Sequence, residues 1–208
     1  MEIIPLFPTP VTMTNIGRDF TKKELQFFLT DIPMKEEKEG GASNHRSKDY
    51  YLFDNFAEEL NDIKSFCEFH LKQYLEEIEG VDIDLATLRI TQSWLNKTKP
   101  QGHQFSHFHN NSYLSGVLYI SCLPNDNINF SDRMYGSYNN MEFSKKKATG
   151  WNPIGAKVNV KKGDLIIFPS WIPHHVDMNN TDKERISLTF NTFPIGEMGN
   201  VIGSRLKL

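Results

Sequence analysis

The chain has 208 residues, of which 38% are hydrophobic and 12% aromatic, a composition typical of folded globular proteins and unlike that of disordered or membrane-spanning chains. Its 23 basic and 26 acidic residues give a formal net charge of −3. Because a protein that binds nucleic acid through phosphates needs an excess of positive charge, this balance argues against nucleic acid as a partner.

The N-terminus and the cysteines predict a cytoplasmic protein. The segment from Met1 to Pro8 has no basic region and no long apolar run, and a run of about 18 apolar residues occurs nowhere in the chain. We therefore expect neither a secretory signal nor a membrane span. Cys67 and Cys122 have apolar neighbours and are too few to form a disulfide framework, which favours a reducing compartment.

Two segments of the N-terminal part have apolar residues at helical spacing. The first runs from Thr21 to Asp31 and begins with a capping box in which Glu24 is the partner of the N-cap. The second and longer one runs from Phe56 to Ile78 and is stopped by Gly80. We therefore expect a short helix followed by a long one.

After the long helix the pattern changes to the alternation of polar and apolar residues that is typical of strands. The predicted strands are Leu88–Leu95, Gly116–Ser121, Ile128–Phe130, Lys157–Val160, Asp164–Phe168 and Arg185–Phe193. Several short strands joined by Gly, Pro and Asn turns predict a β sandwich or jelly roll. We expect a single domain, in which a helical part, residues 1–80, packs on a β core, residues 81–208.

Two segments fit neither pattern. The charged, glycine-containing segment from Glu36 to Lys48 is predicted to be a surface loop. The insertion from Ser131 to Pro153 is either a lid or solvated surface. Loops around a rigid β scaffold commonly carry selectivity, so both segments are candidates for substrate selection.

The candidate chemistry lies in the histidines. His103, His107 and His109 stand close together, and His174 and His175 are adjacent. Because side chains alternate along a strand, His107 and His109 face one side and could bind one metal ion. His174 or His175 could supply a third imidazole if the fold brings distant strands together. Imidazoles without thiolates favour iron, copper, nickel or zinc over magnesium or calcium.

A candidate carboxylate site lies on the last predicted strand. Arg185 and Ser187 alternate with Ile186 and Leu188, so the guanidinium and the hydroxyl face the same side. Such a pair suits a carboxylate, which accepts a bidentate charge-assisted bond from the Arg and a single bond from the Ser. The alternative is that Arg185 is an exposed cation on an edge strand.

The order of four segments resembles that of a known family. The segments are His107-Phe108-His109, Ser112–Tyr119, Gly163–His174 and Arg185–Asn191. With them the chain resembles the 2-oxoglutarate- and iron(II)-dependent oxygenases of the prolyl-hydroxylase-like group, a branch frequent in bacteria and phages. The resemblance implies a double-stranded β-helix, a cupin-like jelly roll with N-terminal helices. If the chain is phage-encoded, the cytoplasm would be that of the host.

By motif position, the resemblance implies that His107, His109 and His174 bind Fe(II), with His175 only a neighbour. The wider superfamily has H-x-D where this chain has H-x-H, so the expected site holds three neutral imidazoles. This change leaves more positive charge on the metal, and zinc or nickel could also occupy the site.

The resemblance further implies that 2-oxoglutarate is the cosubstrate and chelates the metal. Its distal carboxylate would bind Arg185 and Ser187, while Tyr119 either donates a hydrogen bond to it or is a buried core residue. The implied reaction hydroxylates an unidentified substrate, a peptidyl residue being one candidate, and releases succinate and carbon dioxide. No side chain beyond the metal ligands is required for catalysis.

Two other classes of protein remain as alternatives. A cupin-type dioxygenase or isomerase could use the three histidines without 2-oxoglutarate and would not need Arg185. A non-catalytic binding module with the same fold would function without metal. The pairing of Arg185 with Ser187 favours the oxygenase over both. Analogy of fold selects neither a primary substrate nor an oligomeric state.

Overall fold

The computed structural model describes residues 1–4, 7–37, 44–131, 144, 146–147, 149, 155–199 and 203–208. The strands are β1 (Thr12–Asn15), β2 (Met34–Glu37), β3 (Asn44–Ser47), β4 (Ala86–Thr98), β5 (Gln104–His107), β6 (Leu114–Ser121), β7 (Asn127–Ser131), β8 (Gly155–Asn159), β9 (Asp164–Pro169), β10 (His174–Val176), β11 (Arg185–Met198) and β12 (Leu206–Lys207). The helices are α1 (Lys22–Gln26), α2 (Leu52–Asn55) and α3 (Ala57–Gln73), and π-helical turns extend α1 over Phe27–Asp31 and α3 over Tyr74–Ile78.

The described strands form two sheets whose named strands pair antiparallel. The larger sheet has the order β1-β9-β6-β11-β4-β3-β2, with β12 paired to the end of β11, and the smaller one has the order β5-β10-β7-β8. Several neighbours, such as β6 and β9 in the larger sheet and β5 and β10 in the smaller one, are not consecutive in the chain, as expected for the predicted jelly roll. Strands β1, β2 and β3 come from the first 80 residues, so this part contributes strands to the sheet as well as helices.

Alternation along the strands divides the apolar side chains between two cores. Ile186, Leu188 and Phe190 on one face of β11 pack against the helices, with the ring of Phe53 centred 6.1 Å from that of Phe190. The second core lies between the two sheets, and its buried members are Val117, Tyr119, Ile128, Phe130, Val160, Ile166, Phe168 and Ile172. The other face of β11 is polar and turns toward this inner space.

Both predicted helices are confirmed. The capping box of α1 is formed, since the Thr21 hydroxyl accepts from the Glu24 N–H at 3.1 Å and the Glu24 carboxylate accepts from the Thr21 N–H at 2.6 Å. Gly80, in the left-handed region with φ +67°, follows the π-helical extension of α3. Within the described ranges, no helix has the combined length and apolar character needed to cross a membrane.

All six predicted strands overlap observed ones, but the loop prediction for Glu36–Lys48 is wrong at both ends. The last residues of β2 lie at the start of that segment, and β3 lies near its end. Strand β3 pairs with β4 through Asn44, His45 and Arg46. Strand β3 is polar because its side chains face a cavity rather than an apolar core. A polar composition is typical of loops, so the prediction was wrong here. Residues 38–43 of this segment, and almost all of the predicted insertion at 131–153, lie outside the described residues.

Gly116 on β6 lies directly opposite Phe190 on β11, and an added Cβ would overlap the phenyl ring. We expect Gly116→Ala to lower the free energy of unfolding by about 1–3 kcal/mol, the usual cost of overpacking a core. Denaturant titration of both proteins measures the difference. An unchanged midpoint would show that the ring moves aside at no cost.

Candidate metal centre

The three histidines predicted as metal ligands lie together between the two sheets. His107 ends β5 and His174 begins β10, and these residues are directly opposite each other in the smaller sheet. His109 lies two residues beyond β5, where its backbone N–H donates to the backbone carbonyl of Ser170 at 2.9 Å. One ligand nitrogen from each histidine lies within 4.8 Å of the other two. Three imidazole nitrogens at this spacing could hold one metal ion.

Backbone carbonyls orient two of the rings. The Nδ1 atom of His107 lies 2.8 Å from the Phe105 carbonyl, and that of His174 lies 3.1 Å from the Ile172 carbonyl. A carbonyl only accepts hydrogen bonds, so the proton of each neutral ring is on Nδ1 and the lone pair is on Nε2. Both rings therefore offer Nε2 as a ligand atom.

His109 is oriented by side chains instead. Its Nδ1 lies 2.6 Å from the Asn191 amide oxygen and 2.8 Å from the Ser115 hydroxyl. Ser115 in turn bonds Ser170 at 2.7 Å, and Ser170 donates to Ser112 at 2.7 Å. Such outer partners fix the tautomer of a ligating histidine, and here the acceptor is a neutral amide rather than a carboxylate.

Burial keeps the three imidazoles neutral, the form that binds metal ions. It lowers the pKa of His109 to about 4; the Asn191 hydrogen bond opposes this shift, and the charges of His107 and Arg46 add to it. Burial also lowers the pKa of His107. For His174, which is 4% exposed, burial and the two neighbouring histidines place the pKa well below its usual value.

The histidines open on a cavity that is lined by the polar face of β11. The residues predicted for the site all line this cavity: His107, His109, His174, Arg185, Ser187 and Tyr119. The described lining contains two guanidinium groups, from Arg185 and Arg46, and neither an Asp nor a Glu. The described part of the cavity wall is therefore polar and carries two cationic side chains.

Arg185 is a buried cation at this cavity. It is 5% exposed, and its Nη1 donates to the carboxylate of Asp126, itself 6% exposed, at 2.9 Å. Its Nε is buried without a hydrogen-bond partner among the described residues. The alternative of an exposed cation on an edge strand is wrong, because β11 lies between β6 and β4.

Ser187 and Tyr119 lie directly opposite each other on β11 and β6. Ser187 is 5% exposed and Tyr119 is 1% exposed, so both are buried beside the guanidinium of Arg185, whose carbon is 6.0 Å from the centre of the Tyr119 ring. Burial raises the pKa of Tyr119, although the charge of Arg185 opposes this. The phenol therefore stays protonated and can donate a hydrogen bond.

Asp126, Ser115 and Arg46 also belong to the site but are not among the residues predicted from the sequence. Asp126 lies in a turn-forming stretch, Leu123–Asn127, where an Asp is ordinary. Ser115 lies within one of the segments that resemble the family, and this position could have indicated a role in the site. Asn191 lies on the same strand face as Arg185, which could have indicated the same. For Arg46 the charged composition of its neighbours pointed to a surface loop.

Comparison with known proteins agrees with this geometry. Residues 92–191 match the model of the family described as "Putative 2OG-Fe(II) oxygenase", where 2OG is 2-oxoglutarate. No curated protein shows significant similarity to the chain. The matched segment begins on β4 and ends on β11, so it contains the three histidines and the Arg185–Ser187 pair.

Several solved structures have the same fold. An oxidoreductase of the 2OG-Fe(II) oxygenase family from Burkholderia pseudomallei is 12% identical, with 88% of this chain and 84% of that chain covered and a TM-score of 0.58. The epimerase SnoN from nogalamycin biosynthesis is 11% identical, with 90% and 79% covered and a TM-score of 0.59. HygX from Streptomyces hygroscopicus, solved with nickel, 2-oxoglutarate and hygromycin B, is 13% identical, with 88% and 82% covered and a TM-score of 0.54. The predicted double-stranded β-helix is thus confirmed, and residues 92–191, the segment that carries the histidines and the Arg185–Ser187 pair, are similar to the family of 2-oxoglutarate/Fe(II) oxygenases.

Proposed function

We propose that this chain is a 2-oxoglutarate- and Fe(II)-dependent dioxygenase that hydroxylates its substrate and releases succinate and carbon dioxide. One observation carries the proposal: three neutral histidines share a cavity with a buried guanidinium whose Nε has no hydrogen-bond partner among the described residues. A cupin-type enzyme that does not use a 2-oxoacid would account for the histidines but not for Arg185.

His107, His109 and His174 would hold Fe(II) through their Nε2 atoms. The donor set fits the ion, because the three nitrogens lie within 4.8 Å of one another and hydrogen bonds at Nδ1 leave Nε2 available. Fe(II) with 2-oxoglutarate supplies the oxidising chemistry of the reaction, and the protein supplies binding and orientation.

Arg185, Ser187 and Tyr119 would hold the distal carboxylate of 2-oxoglutarate. Asp126 accepts from Nη1 of the Arg185 guanidinium, while Nε has no acceptor within the part of the chain that the structure describes. A carboxylate would satisfy this N–H and also accept from the Ser187 hydroxyl and the Tyr119 phenol. These side chains are almost fully buried, so they would exclude water from the bound carboxylate.

Anaerobic titration of the metal-free protein with Fe(II), and then with 2-oxoglutarate, tests the proposal. We expect the visible charge-transfer band of the chelate in the wild-type protein and a weakened band in Arg185→Ala, which lacks the charge-assisted bonds to the distal carboxylate. Arg89→Ala removes an exposed cation from β4 and should leave the band intact. Tight binding of Fe(II) without any band would overturn the proposal and favour a cupin-type enzyme or a binding module.

A further inference from the structure

Among the three candidate ligands, His109 is the one that lies outside a strand. His107 belongs to β5 and His174 to β10, where the pairing of the two strands fixes their positions. His109 lies in the connection between β5 and β6, close to Asn111, whose φ of +55° is in the left-handed region. Hydrogen bonds rather than strand pairing therefore fix the position of this ligand.

Ser170, the residue that follows β9, is linked to His109 in two ways. Its backbone carbonyl accepts from the backbone N–H of His109 at 2.9 Å. Its hydroxyl lies 2.7 Å from that of Ser115, which in turn lies 2.8 Å from Nδ1 of His109. Both serines are fully buried, so bulk water does not compete for these hydrogen bonds. Ser170 thus contacts the backbone of His109 directly and its ring through Ser115.

The direction of this chain of hydroxyls follows from a count of protons, because a serine hydroxyl has one proton to donate and two lone pairs that accept. Ser112 donates its proton to the backbone carbonyl of Leu114 at 3.0 Å, since a carbonyl only accepts. Ser170 donates to Ser112 at 2.7 Å. The 2.7 Å contact between Ser115 and Ser170 therefore uses the proton of Ser115. Every hydroxyl proton of the chain points away from His109.

This direction leaves Ser115 only lone pairs to offer to His109. The Ser115 hydroxyl also lies 3.0 Å from the Asn191 amide oxygen, but its one proton is used in the shorter contact with Ser170. The Asn191 amide nitrogen donates to Gln92 at 3.4 Å, which keeps the amide oxygen toward His109. Nδ1 of His109 thus faces two acceptors, at 2.8 Å and 2.6 Å, so it carries the ring proton and Nε2 keeps its lone pair.

From this arrangement we propose that Ser170 is a positioning residue for the metal centre, acting through Ser115 on His109. Because Ser170 accepts the Ser115 proton, the Ser115 hydroxyl does not turn to donate to Nδ1 of His109. Such a donation would stabilise the other tautomer of the ring, whose proton is on Nε2 and blocks metal binding there. That the positioned ring binds Fe(II) rests on the proposed function, whereas the tautomer itself is measurable without any metal.

The test records long-range proton–nitrogen correlation spectra of the imidazoles in the metal-free full chain, with His109→Gln to identify the His109 signals. We expect the Nδ1–H form of His109 in the wild-type protein and a mixture with the Nε2–H form in Ser170→Ala. Adding Ser115→Ala to Ser170→Ala removes the hydroxyl that turns, so the double variant should return to the Nδ1–H form. If Ser170 only supported the fold, loss of a second hydroxyl would not restore the tautomer.

Competition for Zn(II) against a chromophoric chelator gives a second readout. Ser170→Ala should weaken zinc binding by about tenfold, the lower end of the loss expected when an outer partner of a metal ligand is removed. Ser93→Ala is the matched control, because Ser93 is a buried serine of β4 whose hydroxyl accepts from the Phe53 backbone N–H at 2.9 Å. The control should lower the Tm and leave both the His109 tautomer and the zinc affinity unchanged.

Two results would overturn the role of Ser170. They are an unchanged His109 tautomer in folded Ser170→Ala, and a mixture of tautomers that persists when Ser115→Ala is added. Thermal denaturation shows which variants fold. If Ser170→Ala does not, Ser112→Ala tests the same chain, because Ser170 can then donate to Ser115 and free the Ser115 proton for His109. Failure of the proposed function is read separately, as the missing charge-transfer band of the Fe(II) protein.

Discussion

Replacing His174 with alanine is expected to abolish tight metal binding, whereas His175→Ala should leave it nearly unchanged. His174 is 4% exposed, lies opposite His107 and keeps its Nε2 available through the Nδ1 contact with a backbone carbonyl. The His175 side chain is 36% exposed and lies 3.7 Å from Asp177. Loss of an outer partner of a metal ligand costs about 10–100-fold in affinity, and loss of a ligand should cost more.

Competition of Zn(II) between each variant and a chromophoric chelator measures this difference. A second readout is thermal stability, because a metal that binds only the folded state stabilises it, by about 4.1 kcal/mol at 1,000 times its Kd. We expect zinc to raise the Tm of the wild-type protein and of His175→Ala but not that of His174→Ala. The opposite ranking would exchange the roles of the two histidines.

Replacement of Asp126 by asparagine should destabilise the fold and weaken 2-oxoglutarate binding together. The Asp126–Arg185 pair is almost completely buried, with side chains 5% and 6% exposed, and the substitution leaves the Arg185 cation without its counter-charge. Breaking such a pair from one side typically costs about 3–5 kcal/mol of folding free energy. Loss of the Nη1 contact also frees the guanidinium to turn away from the cosubstrate.

Asp177→Asn is the matched control, since Asp177 forms an ion pair with Lys157 at 3.4 Å in which both side chains are more than half exposed. Surface pairs of this kind contribute about 0–1 kcal/mol, so the control should unfold near the wild-type midpoint. In a double-mutant cycle, adding Arg185→Gln to Asp126→Asn should restore part of the lost stability because the buried charge is then gone. Equal midpoints for Asp126→Asn and the wild-type protein would contradict the argument.

The parts of the fold that could be predicted are those whose pattern is local. The long helix has an apolar stripe against the sheet, and β6 and β9 are mostly apolar because both of their faces meet a core, whereas β11 alternates because only one of its faces does. Strand β3 could not be predicted, because Asn44 and Arg46 are polar on the face that lines the cavity. Polar strands of this kind are indistinguishable from loops in composition.

The same distinction holds for the site. The H-x-H pair and the Arg185–Ser187 pair each lie within one short segment, so alternation alone indicates that their members share a face. Asp126 is 59 residues from Arg185, and the Asn191 amide is 82 residues from His109. Only the pairing of distant strands brings these partners together, and no local pattern encodes it.

Successive side chains of strand β11 point in turn to the site and to the core, so the same strand register fixes both. Arg185, Ser187 and Thr189 face the cavity, while Ile186 and Leu188 between them pack against the helices. Because the side-chain period of a strand is two, one inserted residue would place the guanidinium among apolar side chains and apolar side chains in the cavity. Length changes within this strand can therefore preserve both the site and the core only in even numbers of residues.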